Sequence, residues 1–170
     1  MASYQRDLAV AYALRYGTDP NPGYVYIADN DCTNFISQCL RAGGARNHYH
    51  KTHPWWYEAG NMSGSWSVAA MLYWYILVST ENQQGIMAAS FFQSTSSPLA
   101  PQINEAIDLG DLIQYKDSDG QVRHSTIITG FTETDHGVEP TVTQHTRNAV
   151  NVPWRKTFPT AVFHHIIAIN

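Results

Sequence analysis

No run of lysine or arginine occurs in this sequence. Charged residues make up only 14% of its 170 positions, and the net charge is −4 with histidine neutral. Nucleic-acid binding driven by counterion release is thereby excluded as a main function, because too few cations stand together to neutralise a row of phosphates. Long apolar runs are missing too. The longest, Trp66 to Ser79, is broken by Ser67 and by polar-tipped aromatics, and it is shorter than a bilayer crossing requires. Met1 to Asp7 lacks the charged start and apolar core of a secretory signal. Only two cysteines are present, Cys32 and Cys39, too few for a disulfide framework. On one helix their seven-residue separation places the Cα atoms about 10 Å apart. A disulfide tolerates no more than about 7 Å. Both are therefore expected as free thiols.

What the sequence does have is apolar and aromatic mass. Hydrophobic residues reach 44%, with five Trp, ten Tyr and six Phe, which excludes disorder. A chain of this length can bury roughly 70% of the surface its unfolded form exposes, so a single domain over residues 1–170 is expected. Leu8, Ala11, Tyr12 and Arg15 recur at helical spacing within Tyr4 to Tyr16, and Gly17 and Pro20 close that segment. Tyr24 to Ile27 reads as a short extended piece. A second helix begins near Asn30 or Asp31, either of which can cap it, and stops at Gly43-Gly44. Ala45 to Gly64 reads as a loop rich in His, Trp and Tyr. A third helix, Val68 to Ser79, is apolar nearly all round and so is expected to be buried. Phe91 to Pro101 is Ser/Pro-rich and turn-like, with a short helix around Gln102 to Ala106.

After Gly110 the pattern turns to β. Strands are expected at Asp111 to Tyr115, Arg123 to Phe131, Val138 to Thr146 and Thr160 to Ile169, with turns at Asp117 to Gly120 and Thr134 to Gly137. Helices first and antiparallel strands later give an α+β domain, its helices packed on one sheet.

Common catalytic signatures are absent: no GxSxG, GxxxxGK[ST], HExxH, CxxC or GxGxxG occurs. Carboxylates are sparse and sit mostly in turns, which leaves a two-carboxylate glycosidase little to build on. What remains is Asp31-Cys32-Thr33-Asn34-Phe35 at the start of a helix. Free N–H groups and the macrodipole favour negative charge there, which suits a thiolate nucleophile. Cys39 lies on the apolar side of that helix and reads as core. A thiolate needs a base, and the base an orienting partner. His124 starts one strand and His145 ends the next. A helix-borne Cys, a strand-borne His and a polar residue on the neighbouring strand form the order that a papain-like site requires.

The stretch Asp31 to Gln38 with Ala42-Gly43-Gly44, then Ser65-Trp66, Gly110 to Tyr115, His124 to Gly130 and Gln144-His145-Thr146 resembles the bacterial putative amidase domain family. That family is related to the NlpC/P60 and CHAP cell-wall hydrolases. The resemblance runs in order from Tyr4 to about Pro153. It implies a papain-like fold with Cys32 as nucleophile and His124 as general base and later acid. It makes His145 the orienter, with Asn148 and Gln144 as alternatives. Asp31 matches an acidic residue that helps hold the amino end of a peptide substrate. The oxyanion hole would use the Cys32 backbone N–H and an upstream donor, for which Tyr26 is the candidate. The implied substrate is an amide of bacterial peptidoglycan, in the stem peptide or at the sugar–peptide link. Neither a metal nor an organic cofactor is required, and the expected place of action is outside the cytoplasm.

Other features divide between function and packing. Trp55 and Trp56, with Tyr57, could stack on a substrate or cover the core beneath their loop. Trp66 and Trp74 read as core. His48, His50 and His53 fit no standard zinc spacing and read as a solvated loop. His164 and His165 alternate on a strand, and neither reads as functional. Two other uses of the chain stay open at this point: side-chain deamidation or acyl transfer on a protein by the same triad, and a wall-binding module without catalysis.

Overall fold

A computed structural model of the protein describes residues 2–101 and 106–170. Four helices come first: α1 (Arg6–Tyr16), α2 (Cys32–Ala42), α3 (Gly64–Ser67) and α4 (Ala69–Asn82). A small hairpin, β1 (Tyr57–Glu58) and β2 (Asn61–Met62), precedes α3. The other strands are β3 (Met87–Ser94), β4 (Leu112–Lys116), β5 (Val122–Thr134), β6 (Gly137–Gln144), β7 (Ala149–Pro153) and β8 (Thr160–Ala168). They form one antiparallel sheet in the order β3-β8-β4-β5-β6-β7. The fold is α+β, with its helices concentrated toward the N-terminus and the sheet mainly in the C-terminal half, as the pattern predicts.

Helix α2 is the centre of the domain, buried from Cys32 through Leu40. Its apolar residues Phe35, Ile36 and Leu40 share a core with Trp55, Trp66 and Ile127, each such side chain contributing about 1.5–3 kcal/mol by leaving water. Three of its buried polar residues, Thr33, Asn34 and Ser37, are answered from neighbouring elements. Thr33 Oγ1 lies 2.9 Å from Ser125 Oγ on β5, Asn34 Oδ1 accepts from Trp66 Nε1 at 2.8 Å, and Ser37 Oγ donates to the Trp66 carbonyl at 2.7 Å. A buried polar group without a partner would cost about 1–3 kcal/mol, so these bonds fix how α2 sits on the sheet. Gly44, at φ 107°, follows the last turn in a conformation that other residues adopt only at a cost.

The sheet is covered on both sides. Leu112, Ile127 and Ile166 face the helices, while Ile113, Tyr115, Ile128, Val142 and Phe163 form a second core with Trp154. Burial on both faces explains why β5 reads as a β-branched run and not as a strict alternation.

The structure departs from the expectations in several places. Tyr24 to Ile27 forms no strand. Strand β3 runs on through Phe91 to Ser94, the start of the segment expected as turn-like, its serines tolerated because it is an edge strand with alternating exposure. The short edge strand β7 carried no readable alternation. Helix α4 buries one face, through Leu72, Tyr75 and Ile76, and leaves Met71 and Trp74 exposed, so Trp74 (62% exposed) is not core. The short helix expected around Gln102 to Ala106 falls on residues 102–105, outside the described residues. Among the described residues no helix is long and apolar enough to cross a membrane.

Candidate active site

Where the N-terminus of α2 meets the beginning of β5 and the end of β6, a cleft of about 620 Å³ opens, lined by Cys32, His124 and Gln144 among others. Cys32 is the first residue of α2, so its backbone N–H is one of those a helix leaves free at its start. Its Sγ lies 3.7 Å from Thr33 Oγ1, and Thr33 is tied to β5 through Ser125. Helix α2 and strand β5 are thus joined next to the cleft. Cys39, two turns further along the same side of α2, is fully buried, and burial pushes its thiol well above the ordinary value. Both cysteines are free.

His124 Nε2 lies 3.2 Å from Gln144 Oε1. The orientation of that amide is fixed by its other end, because Gln144 Nε2 donates to the carbonyls of Arg147 at 3.1 Å and Thr146 at 3.4 Å. The oxygen therefore faces the imidazole, Nε2–H must be the donor, and Nδ1 carries the lone pair. Burial lowers the His124 pKa to about 4; the bond to Gln144 works in the opposite direction, and the charge of Lys156 lowers it further. The ring, stacked beside Phe158 (6.2 Å, 15°), is a neutral imidazole near pH 7 whose Nδ1 has no hydrogen-bond partner among the described residues.

His145 does not meet His124. Successive residues of a strand point to opposite faces, so the end of β6 sends Gln144 toward His124 and His145 toward the helices. There its ring stacks on Phe35 at 3.9 Å, with Nδ1 2.5 Å from Asp31 Oδ2 and Nε2 2.7 Å from the Tyr16 carbonyl. Both nitrogens are engaged, and His145 is 1% exposed. Asp31 does not line the cleft either. It makes no side-chain cap on α2; its Oδ1 accepts from the Ile27 N–H at 2.9 Å and from Asn34 Nδ2 at 2.7 Å, and its Oδ2 faces His145. With its acceptor sites turned inward, it ties the loop before α2 to the sheet and is not aimed at a substrate.

The remaining expected residues lie elsewhere. Tyr26 is 46% exposed and outside the cleft lining. Trp55 is buried against Trp66 at 4.7 Å, its indole N–H donating to Ser37 Oγ at 3.1 Å. Trp56 is half-buried near Tyr49, again away from the cleft. Asn148 sits in the β6–β7 turn and does not line the cleft. His50 and His53 lie ring to ring at 3.7 Å beside His48. Among the described residues no group of three His, Cys, Asp or Glu is arranged to hold a metal ion.

Sequence reasoning missed the cleft's basic wall: Arg123, Arg147, Arg155 and Lys156. They form no run, and only the sheet order brings the β6–β7 turn and the approach to β8 beside the start of β5. Thr146 and Arg147 occupy the centre of that turn with φ 57° and 60°, a conformation costing a non-glycine residue about 1–2 kcal/mol. The one available hint was that Arg147 follows Gln144-His145-Thr146 directly.

Two relatives from Bacillus subtilis are similar to the chain. The uncharacterized protein YhbB is 33% identical over 174 residues, covering 96% of this chain and 50% of YhbB. The uncharacterized protein YjcM is 29% identical over 158 residues, covering 88% of the chain and 32% of YjcM. The chain thus spans half the length, or less, of these relatives. No solved structure matches it. The putative amidase domain family matches residues 3–166, almost the whole chain, and the protein belongs to that family.

Proposed function

We propose that the protein is a papain-like cysteine amidohydrolase of the kind represented by NlpC/P60 and CHAP enzymes. Cys32 attacks an amide carbonyl, and His124 Nδ1 takes the thiol proton. The resulting imidazolium gives that proton to the leaving amine, and the acyl group remains on Cys32 as a thioester. Water, deprotonated by the same nitrogen, then releases the acid. Gln144 holds the tautomer that makes this possible. The Cys32 backbone N–H stabilises the oxyanion, and one such donor is worth about 3–4 kcal/mol.

The observation that carries this reading is the tautomer: Gln144 Oε1 accepts a hydrogen bond from the Nε2–H of a buried, neutral histidine that shares a cleft with a helix-start cysteine. Membership of an amidase family supports the reaction class. The substrate proposed is an amide of bacterial peptidoglycan, in the stem peptide or at the sugar–peptide link, met outside the cytoplasm. We propose further that residues 1–170 act as one catalytic domain. Incubation with purified peptidoglycan should release new amino groups into solution. Cys32→Ala should lower that release by about a thousandfold or more while leaving the thermal unfolding midpoint in place. Equal release by the variant would remove Cys32 from the mechanism.

A further inference from the structure

Four cations line the cleft, and among the described residues no carboxylate does. Two of the four are already neutralised from behind. Arg123 Nε donates to Asp117 Oδ2 at 2.8 Å, and Arg155 Nε to Glu139 Oε2 at 3.0 Å. Arg155 also donates to the carbonyls of Thr95 and Ser97. Arg147 and Lys156 have no ion-pair partner among the described residues. Each comes from a different segment of the cleft wall. Arg147 is held in the left-handed β6–β7 turn, whose carbonyls are clamped by Gln144, and Lys156 is half-buried with its charge felt at His124. Thr146 lines the same cleft, and its hydroxyl oxygen is buried with no hydrogen-bond partner among the described residues. An unpaired guanidinium, an unpaired ammonium and an idle hydroxyl around one cleft suit an anion. The guanidinium can grip a carboxylate with two parallel bonds, and the ammonium supplies a point charge.

We propose that Arg147, Lys156 and Thr146 form an anion subsite, so that the substrates preferred by Cys32 carry a carboxylate beside the amide that is cut. The proposal rests on the Cys32–His124 reading for what happens at the amide. The subsite itself is defined by charge alone. A cleft lined by one sign of charge raises the local concentration of the opposite sign by about 10- to 1000-fold, and that preference is measurable without any substrate.

Iodoacetate and iodoacetamide alkylate the same sulfur, and one carries a carboxylate where the other carries an amide. Cys39 is fully buried, so alkylation of the native protein reports Cys32, which peptide mapping verifies. The ratio of the iodoacetate rate to the iodoacetamide rate cancels changes in the reactivity of the thiol itself. In the wild type that ratio should exceed the value for 2-mercaptoethanol by at least about tenfold, and it should collapse when about 0.5 M salt is added. Arg147→Asn, which suits the left-handed turn, combined with Lys156→Gln should return the ratio to that of the free thiol. A wild-type ratio equal to that of 2-mercaptoethanol, or a ratio untouched by salt, overturns the subsite with no variant needed. Propionate and inorganic phosphate are then compared as protectants of Cys32 at equal ionic strength. Protection by propionate supports the carboxylate assignment, and protection by phosphate alone overturns it. The Cys–His reading is judged separately, by whether His124→Ala slows iodoacetamide.

Discussion

His124 on β5 and His164 on β8 are built alike. Each donates Nε2–H to a glutamine oxygen, His124 to Gln144 at 3.2 Å and His164 to Gln114 at 2.9 Å. Each glutamine is oriented by its own amide donors, which in Gln114 reach the Ala69 carbonyl and Ser125 Oγ. Burial holds both rings neutral, with pKa values lowered to about 4 and about 3. The difference is at Nδ1. In His164 that nitrogen lies 2.7 Å from Ser90 Oγ; in His124 it has no hydrogen-bond partner among the described residues, and the ring borders the cleft with Cys32. Burial and a depressed pKa therefore do not mark a base. What sets the proposed base apart from His164 is a lone pair left unused at a cleft shared with Cys32. His145, with both nitrogens engaged by Asp31 and the Tyr16 carbonyl, falls with His164.

The comparison breaks if these rings prove interchangeable in their effects. His124→Ala should lower kcat for amide hydrolysis by about a thousandfold, the middle of the range for a general base, with a smaller fall in the urea midpoint than His145→Ala causes. His145→Ala should do the reverse. It leaves the Asp31 carboxylate buried without its main partner, a loss of about 3–5 kcal/mol that urea unfolding would register. Should His145→Ala remain fully stable, its role as a post between α2 and β6 is wrong.

Much of this arrangement was legible beforehand, and the reasons for the rest are physical. The helix beginning at Cys32 and ending at Gly43-Gly44 could be read because capping and stop signals are local, and β5 could be read because β-branched runs are local. Cys32 and His124 stood out by position on those elements. Choosing between Gln144 and His145 needed the strand's register, since a one-residue shift sends a side chain to the opposite face. Residue type favoured the histidine, and register favoured the glutamine. Asp31 had the chemistry of a cap or a substrate ligand, and only the fold shows its oxygens turned toward Ile27, Asn34 and His145. The basic wall depended on the sheet order, which no local pattern encodes.

A pH series sharpens the comparison without touching the cleft. A histidine whose pKa falls from about 6.5 in the unfolded chain to about 4 or about 3 in the fold binds its proton more readily when unfolded. Stability from His124 and His164 is thus fully present above pH 6.5 and is lost as pH falls toward 4 and then 3. Each ring contributes up to about 1.4 kcal/mol per pH unit once the unfolded form is protonated. Between pH 6 and 5 carboxylates titrate little, so the slope there belongs to histidines. His164→Gln should flatten it, as measured by urea midpoints at several pH values. An unchanged slope would mean that His164 is not held neutral by its burial.

The smallest expected effect is the most selective. Gln144 is a positioning residue: it touches His124 and leaves Cys32 to the imidazole. Its bond favours the protonated ring, so removing it in Gln144→Ala should lower the His124 pKa further and move the acid limb of kcat/KM to lower pH. The rate should fall by only about tenfold, because the base survives and merely loses its preferred tautomer and orientation. Gln144→Glu should move the same limb upward, a carboxylate favouring the imidazolium more strongly than an amide does. A general loss of packing could lower the rate in both variants, but it would not move the limb in opposite directions. Gln114→Ala is the matched control. It strips the same kind of partner from His164, and it should lower stability while leaving the limb where it was. If Gln144→Ala and Gln144→Glu leave the limb in one place, the likeness between the two histidine–glutamine pairs is one of packing alone, and His124 takes its orientation from another group.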